Sequence, residues 1–310
     1  MEMIFSKIQE RQKDMVQTLC DLVGIPAVSP LNGGTGEQRK AKYLLEKLDS
    51  LGFESVESYN SPDEKAEGGY HPNLVARMKG RTPRRLWFVS HMDVVPEGDI
   101  SLWDSDPFEA VVEGNRVYGR GTSDNGQEIV SSLYAAAVLK ELGIEPEYEV
   151  CLCFVSDEEV GSEHGICHLL NEGLFSQDDL IYVPDSGSLD GSFIEIAEKS
   201  SCAIEFVVAG RQVHASIPER GINACRVANE LSCTLDSALH EAFQESDPLF
   251  DPPISTFEPT RRDLNVQNSN TVPGREVFTF DCRVLPSIPF EGIEALIAEK
   301  AEILERKHGA

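Results

Sequence analysis

The sequence predicts an α/β fold, and two observations carry that prediction. Strand-like apolar runs alternate with amphipathic helical segments through the first two thirds of the chain, and the pattern changes near residue 195. Strands separated by helices imply a largely parallel sheet covered on both faces. At 310 residues and 41% hydrophobic content, the chain is long enough for two domains, since single cores stop growing at roughly 250–300 residues.

The elements follow in order. Ile4, Ile8, Met15, Leu19, Leu22 and Val23 have helical spacing, which stops before "GIPAVSP". A second helix begins at "TGEQRKAKYLLEKLDSLG", where Thr35 and Gln38 have capping-box spacing and Gly52 follows the end. "NLVARMKG" and "RLWFVSH" read as strands, "DNGQEIVSSLYAAAVLKELG" as a helix and "YEVCLCFVS" as a buried strand. "GSEHGICHLLNEGL" reads as a helix and "LIYVPD" as a strand. Beyond residue 195 come a strand ("SSCAIEFVVAG"), a helix ("NACRVANELSCTLDSALHEAF"), two strands ("ISTFEPT", "EVFTFDCRVL") and a helix ("FEGIEALIAEKAEILERK"). That order is a split βαββαβ unit without its last strand. The boundaries expected are residues 1–194 and 195–310, with the chain stopping inside the second domain.

Composition narrows the function. A net charge of −26 repels nucleic-acid backbones and anionic membrane surfaces. No run approaches the ~20 apolar residues of a membrane span, and the amphipathic start is unlike a secretory signal; the compartment expected is the cytoplasm. The eight cysteines include no C-x-x-C pair, as expected of free thiols acting as small hydrophobes.

In open sheets, ligands bind beyond the carboxyl ends of the strands. There the sequence places His91 and Asp93 ("HMD"), Asp124 ("TSDNGQ"), Asp157, Glu158 and Glu159 ("SDEEVGSEHG"), and Asp185 ("VPDSG"). Three consecutive carboxylates after a buried strand repel one another unless a cation sits among them or water solvates them. Zinc and similar cations take imidazole nitrogen and carboxylate oxygen, and a paired site needs a bridging ligand, for which Asp124 is the candidate. The i, i+2 spacing puts Asp93 beside His91, where it can accept the second imidazole proton. If Glu158 and Glu159 lie on extended chain they point opposite ways, so one can bind metal while the other takes a proton from a metal-activated water. Each piece also fits a plainer role: a solvated acidic loop, an N-cap at Asp124, a turn residue at Asp185. Their joint placement at strand ends favours the metal reading.

Taken together, "SHMDVVP", "YGRGTSDNGQ", "SDEEVGSEHG", "YVPDSG" and "GRQVHASIPERGINA" resemble the M20 metallopeptidase family, which includes acetylornithine deacetylases, succinyl-diaminopimelate desuccinylases, aminoacylases, carboxypeptidase G-type enzymes and dipeptidases. The resemblance implies a zinc-aminopeptidase-like α/β/α catalytic domain with an inserted ferredoxin-like lid that commonly mediates dimerisation. It implies two divalent ions, zinc or else cobalt or manganese. His91 and Asp185 would hold one ion, Glu159 would contribute to the other, and Asp124 would bridge. Glu158 would be the general base and Asp93 the partner of His91. In the lid, His214 would stabilise the oxyanion in a partner subunit, and Asn270 and Arg283 would bind a substrate carboxylate.

Two departures stand out. The chain has Asn125-Gly126-Gln127 after Asp124, where many relatives carry Asn-Lys-Gly or Met-Lys-Gly. Relatives also continue past the lid to supply a final His ligand, and His308, directly after the last predicted helix, lacks the strand expected around that ligand. The second metal site is therefore expected to be incomplete in this chain. The function expected is hydrolysis of the amide bond of an N-acyl amino acid, in amino-acid biosynthesis. The alternatives are a dipeptidase or aminopeptidase, or a non-catalytic binding and dimerisation remnant. An unrelated nucleotide-binding α/β protein is disfavoured by the lack of a G-x-G-x-x-G or P-loop signature.

Overall fold

The computed structural model describes residues 1–188 and 190–309. The chain divides into two compact units, Met1–Phe193 and Ile194 onward.

The first unit is built on a five-stranded sheet: β1 (Val56–Pro62), β2 (Tyr70–Met78), β3 (Arg85–His91), β6 (Glu149–Val155) and β7 (Leu180–Tyr182), in the order β1-β2-β6-β3-β7. The short strands β4 (Val111–Glu113) and β5 (Arg116–Tyr118) form a separate hairpin. The sheet is mixed, which corrects the expectation of a largely parallel one. β3 pairs in parallel with β6 and β7, while β2 is antiparallel to both β1 and β6. The error arose at β1, whose "VESYNSP" carries too few apolar residues to read as a strand; it forms a hairpin with β2 and turns that edge antiparallel.

Strand periodicity splits β6 between two cores. Val150, Leu152 and Phe154 join one cluster with Leu44, Leu48, Leu133 and Ile129, while Cys151, Cys153 and Val155 join another with Trp87 and Leu169. A strand covered on both faces has no solvent side, so its sequence is an unbroken apolar run. Leu152 is 1% exposed, and truncating such a residue to alanine costs about 2–5 kcal/mol.

Helices α1 (Glu2–Glu10), α2 (Gln12–Val23), α3 (Gln38–Ser50), α4 (Gln127–Glu141) and α5 (Ile166–Asn171) complete the unit. The first predicted helix is thus two, parted at Arg11. The predicted capping box is absent: Glu37 occupies the N-cap of α3, and Gln38 donates instead to the Tyr70 carbonyl at 3.0 Å. Gly52 does follow α3, at φ +81°, a conformation that favours glycine.

The second unit runs β8 (Ser200–Ala209), β9 (Val213–His214), α6 (Ala224–Ala242), β10 (Thr256–Arg262), β11 (Thr271–Val272), β12 (Arg275–Val284) and α7 (Phe290–His308). β10, β12 and β8 form an antiparallel sheet in that order, and β9 pairs with β11. Leu231, Leu235 and Leu239 of α6 and Ile293 of α7 pack with Phe206, Phe278 and Phe280 of the sheet. Strand, helix, strand, strand, helix is the order read from sequence. Among the described residues no helix is long and apolar enough to cross a membrane. Of the cysteines, Cys151, Cys153 and Cys282 are buried, while Cys167 and Cys233 are exposed.

Candidate metal centre

Because β3, β6 and β7 run parallel, their carboxyl ends open on the same side of the sheet. His91 is the last residue of β3, Glu158 and Glu159 lie in a single 3-10 turn beyond β6, and Asp185 lies three residues beyond β7. Asp124 comes from the irregular turn Thr122–Gly126 that leads into α4.

His91 is the hub. Its ring is 3% exposed, and its Nε2 is buried without a hydrogen-bond partner. Around that atom lie Asp124 Oδ1 at 2.8 Å, Asp185 Oδ1 at 3.6 Å and Glu158 Oε2 at 3.9 Å. Two ligand-like groups result, His91 with Asp124 and Glu159, and His91 with Glu158 and Asp185. The imidazole and all four predicted carboxylates are therefore together, though Glu158 shares a group with Asp185.

The electrostatics describe a cation-seeking pocket. Burial opposes charge on His91, but Asp185, Asp93 and Glu158 outweigh it and push the imidazole up to about 11. Burial raises Glu158 and Glu159, and neighbouring carboxylates add to the effect against His91. Asp185 is held below the usual carboxylate range by His91. Concentrated negative charge with an orphaned imidazole nitrogen fits a divalent cation bound by nitrogen and oxygen donors.

One expectation needs correction here, and the Asp93 contact has more detail than spacing gives. The Asp93 carboxylate lies against His91 without being its nearest group. The nearer acceptor for His91 Nδ1 is the Asp93 backbone carbonyl at 3.0 Å, with carboxylate Oδ1 at 3.5 Å. That carboxylate also accepts from the backbone N–H groups of Glu158 and Glu159, at 3.1 and 3.0 Å. Fully buried, Asp93 fixes the turn that presents both glutamates. That turn is 3-10 rather than extended, so the two side chains diverge by turn geometry and not by strand alternation.

Some residues escaped sequence reading. Asn125 donates its side-chain amide to Asp185 Oδ1. Glu128, in the first turn of α4, is buried with Oε2 unpartnered, and burial pushes its carboxyl up to about 7. Neither position stands out by spacing, because each is read as part of a helix start.

In the second unit, His214 ends β9 and Asn270 precedes its partner β11. Asn270 Nδ2 lies 3.5 Å from His214 Nε2, and Ser216 Oγ lies 2.8 Å from His214 Nδ1. Arg283, expected to take a substrate carboxylate, has its fork engaged by Asp281 two residues away on β12, at 2.7 and 3.0 Å. His308 is paired with Glu230 at 2.8 Å.

A model of the peptidase family M20/M25/M40 matches residues 87–261. The chain belongs to that family. Over 292 residues it is 42% identical to an uncharacterized metallohydrolase of Methanocaldococcus jannaschii, covering 91% of this chain and 70% of that one. It is similar in structure to an M20 family metallo-carboxypeptidase from Sulfolobus solfataricus, with a TM-score of 0.75 at 20% identity, covering 94% of this chain and 75% of the other. A dinuclear metal binding peptidase of the M20 family from Bacillus subtilis gives a TM-score of 0.59 at 16% identity over 97% and 72% of the two chains. At such identities the likeness establishes the fold. The matched segment of the family model contains His91, Asp124, Glu158, Glu159, Asp185 and His214.

Proposed function

We propose that this M20 chain is an amidohydrolase that uses two divalent cations, zinc foremost with cobalt or manganese as substitutes, to cleave the amide bond of a small N-acyl amino acid. One observation carries the reading: a buried imidazole nitrogen without a hydrogen-bond partner, encircled by carboxylates from separate stretches of chain. His91, Asp185, Asp124 and Glu159 would hold the cations, with Asp124 reaching both. When bound, the pair would supply an acidified water and a Lewis-acid contact for the amide oxygen.

The chain's own groups do the remaining work. Glu158, half-exposed and raised by burial, takes the proton of the attacking water and passes it to the leaving nitrogen. Asp93 keeps Glu158 in place by holding its backbone N–H. On the family resemblance, His214 would donate an imidazole N–H to the developing oxyanion in a partner subunit's site, and Asn270, its neighbour, would contact the substrate carboxylate. Arg283 joins that contact only by leaving Asp281. Homodimerisation through the second unit belongs to this proposal on the family resemblance alone.

Calorimetric titration with zinc tests the reading, and close to two equivalents per chain would support it. Assay against N-acetyl and N-succinyl amino acids beside dipeptides then identifies the substrate class. Turnover of dipeptides alone would move the assignment to a dipeptidase. One equivalent of zinc or none, with no turnover, would make the chain a binding protein.

A further inference from the structure

The first unit buries a second imidazole away from the metal centre. His71, 1% exposed on β2, has both ring nitrogens engaged: Nδ1 lies 2.8 Å from Glu37 Oε2 and Nε2 lies 3.2 Å from Asp63 Oδ2. Glu37 is fully buried at the N-cap of α3, and Asp63 directly follows β1. The His71 ring stacks on His164, with centroids 4.6 Å apart and planes 11° from parallel.

His164 closes the loop that starts at Ser156 and carries Glu158 and Glu159. Asn73, two residues on from His71 and fully buried, grips both ends of that loop: its Nδ2 donates to the His164 carbonyl at 2.9 Å, and its Oδ1 accepts from Ser156 N–H at 3.0 Å. Ser156 Oγ donates to the Pro72 carbonyl at 2.5 Å, and His164 Nδ1 meets Ser61 Oγ at 2.9 Å. A Cβ on Gly165 would lie 1.9 Å from the Ser156 carbonyl oxygen, so the two ends of the loop touch. The β1–β2 hairpin therefore holds the base of the loop, while Asp93 holds its tip.

Asp63, His71 and His164 are close enough together to suggest a metal site. Ring geometry argues otherwise. Imidazole lone pairs lie in the ring plane, so two parallel stacked rings cannot both aim at one cation unless one rotates, and rotation would break the bond to Glu37 or to Ser61. The cation here is the imidazole itself.

We propose that Glu37, His71 and Asp63 form an ionic clasp and that, with Asn73, they are positioning residues for the loop bearing Glu158 and Glu159. The proposal rests on the reading of that loop as part of the metal centre. Withdrawing the His71 charge leaves Glu37 and Asp63 facing each other without a cation, which opens the hairpin end and loosens the loop base stacked on it.

The charged and titratable groups facing His71 are Glu37 from α3, Asp63 from the turn after β1, and Asp157 and His164 from the loop. Buried Lys40 lies one turn beyond Glu37. Burial opposes the His71 charge, but Glu37, Asp63 and Asp157 outweigh it and raise the group from 6.5 to about 9. A raised pKa means stabilisation fully present below about 6.5 and lost as pH rises through about 9. Lys40, lowered by burial to about 8, acts in the opposite sense above that pH. It is common to wild type and His71 variants, so their difference isolates His71.

The test is hydrogen–deuterium exchange of residues 156–165 in the full chain, with and without zinc, corrected for intrinsic rates, at pH 6 and pH 9. Wild-type loop amides are expected to exchange roughly tenfold faster at pH 9 than at pH 6, with β6 unchanged. His71→Gln should give the faster rate at both values, and Asp63→Asn an intermediate one. Loop exchange in both variants that matches wild type overturns the clasp, as does a further zinc equivalent that His71→Gln removes. Should His71→Gln fail to fold, Asp63→Asn decides alone. Absence of zinc binding by wild type would defeat the amidohydrolase reading, while the zinc-free exchange data would still judge the clasp.

Discussion

The first unit contains two buried histidines with nearly the same inner half and opposite outer halves. His91 and His71 are 3% and 1% exposed, and each has Nδ1 held by a fixed acceptor, the Asp93 carbonyl or the Glu37 carboxylate. At Nε2 they part. His71 reaches a single carboxylate at 3.2 Å and is satisfied. His91 has several carboxylates within 2.8–3.9 Å, none aligned as a hydrogen-bond acceptor. Charge balance accounts for the difference: two carboxylates suit one imidazolium, whereas around His91 the carboxylates outnumber its single charge and no described lysine or arginine pairs with them. The cluster around His71 is satisfied by the imidazolium alone, and the one around His91 has room for a divalent cation in place of the imidazole proton.

The strongest way to break this contrast is at the acidic loop. Glu158→Gln removes a proton acceptor and leaves the other donors around His91, so turnover should fall by about 10²–10⁴-fold, the range for a general base. Zinc stoichiometry should not change. Loss of zinc together with turnover would mean that Glu158 is a ligand, as its grouping with His91 and Asp185 allows.

Next in size is the response to metal. Zinc at about a hundred times its dissociation constant stabilises the folded chain by about 2.7 kcal/mol, seen as a rise in melting temperature that a chelator reverses. His91→Ala should abolish that rise and His71→Gln should keep it. If both variants lose it equally, the two histidines do not differ in the way proposed.

Legibility from sequence followed the same divide. The candidate site was readable because its members fall at strand ends, where apolar runs stop and acidic residues begin, and the family motifs keep that order. His71 was not. It lies inside the "YHPNLVARM" strand, and its partners come from a helix N-cap read as a Thr35 capping box and from a hairpin whose first strand, "VESYNSP", gave no apolar signal. A salt link among stretches up to 34 residues apart leaves no local pattern. Asp93 shows an intermediate case: the i, i+2 spacing places it beside His91, but the bonds that its carboxylate accepts from Glu158 and Glu159 N–H depend on a turn whose geometry spacing does not reveal.

An effect of similar size is expected at Glu37. Glu37→Gln leaves a buried imidazolium with one carboxylate partner, and breaking a buried pair this way costs about 3 kcal/mol. Denaturant melts at pH 6 should show the loss. Since the His71 contribution fades as pH rises through about 9, the gap between wild type and variant should narrow toward that value. A gap constant with pH would mean that His71 is uncharged in the folded chain.

The smallest effect should come from Asp63→Asn. Asp63 keeps 19% of its side chain exposed, against 0% for Glu37, so water screens the pair and an asparagine oxygen can still accept from Nε2. A cost smaller than that of Glu37→Gln is expected, because the hydrogen bond only loses its charge. Because Asp63 N–H also bonds the Gly69 carbonyl at 3.0 Å and its Oδ1 accepts from Lys65 N–H at 2.9 Å, the turn itself should survive the change. Melts of Asp63→Asn, Glu37→Gln and the double variant then give a coupling energy. A clasp sharing one imidazolium requires a coupling energy different from zero, while strict additivity would mean that the two carboxylates act on His71 independently and that the hairpin is not held through it.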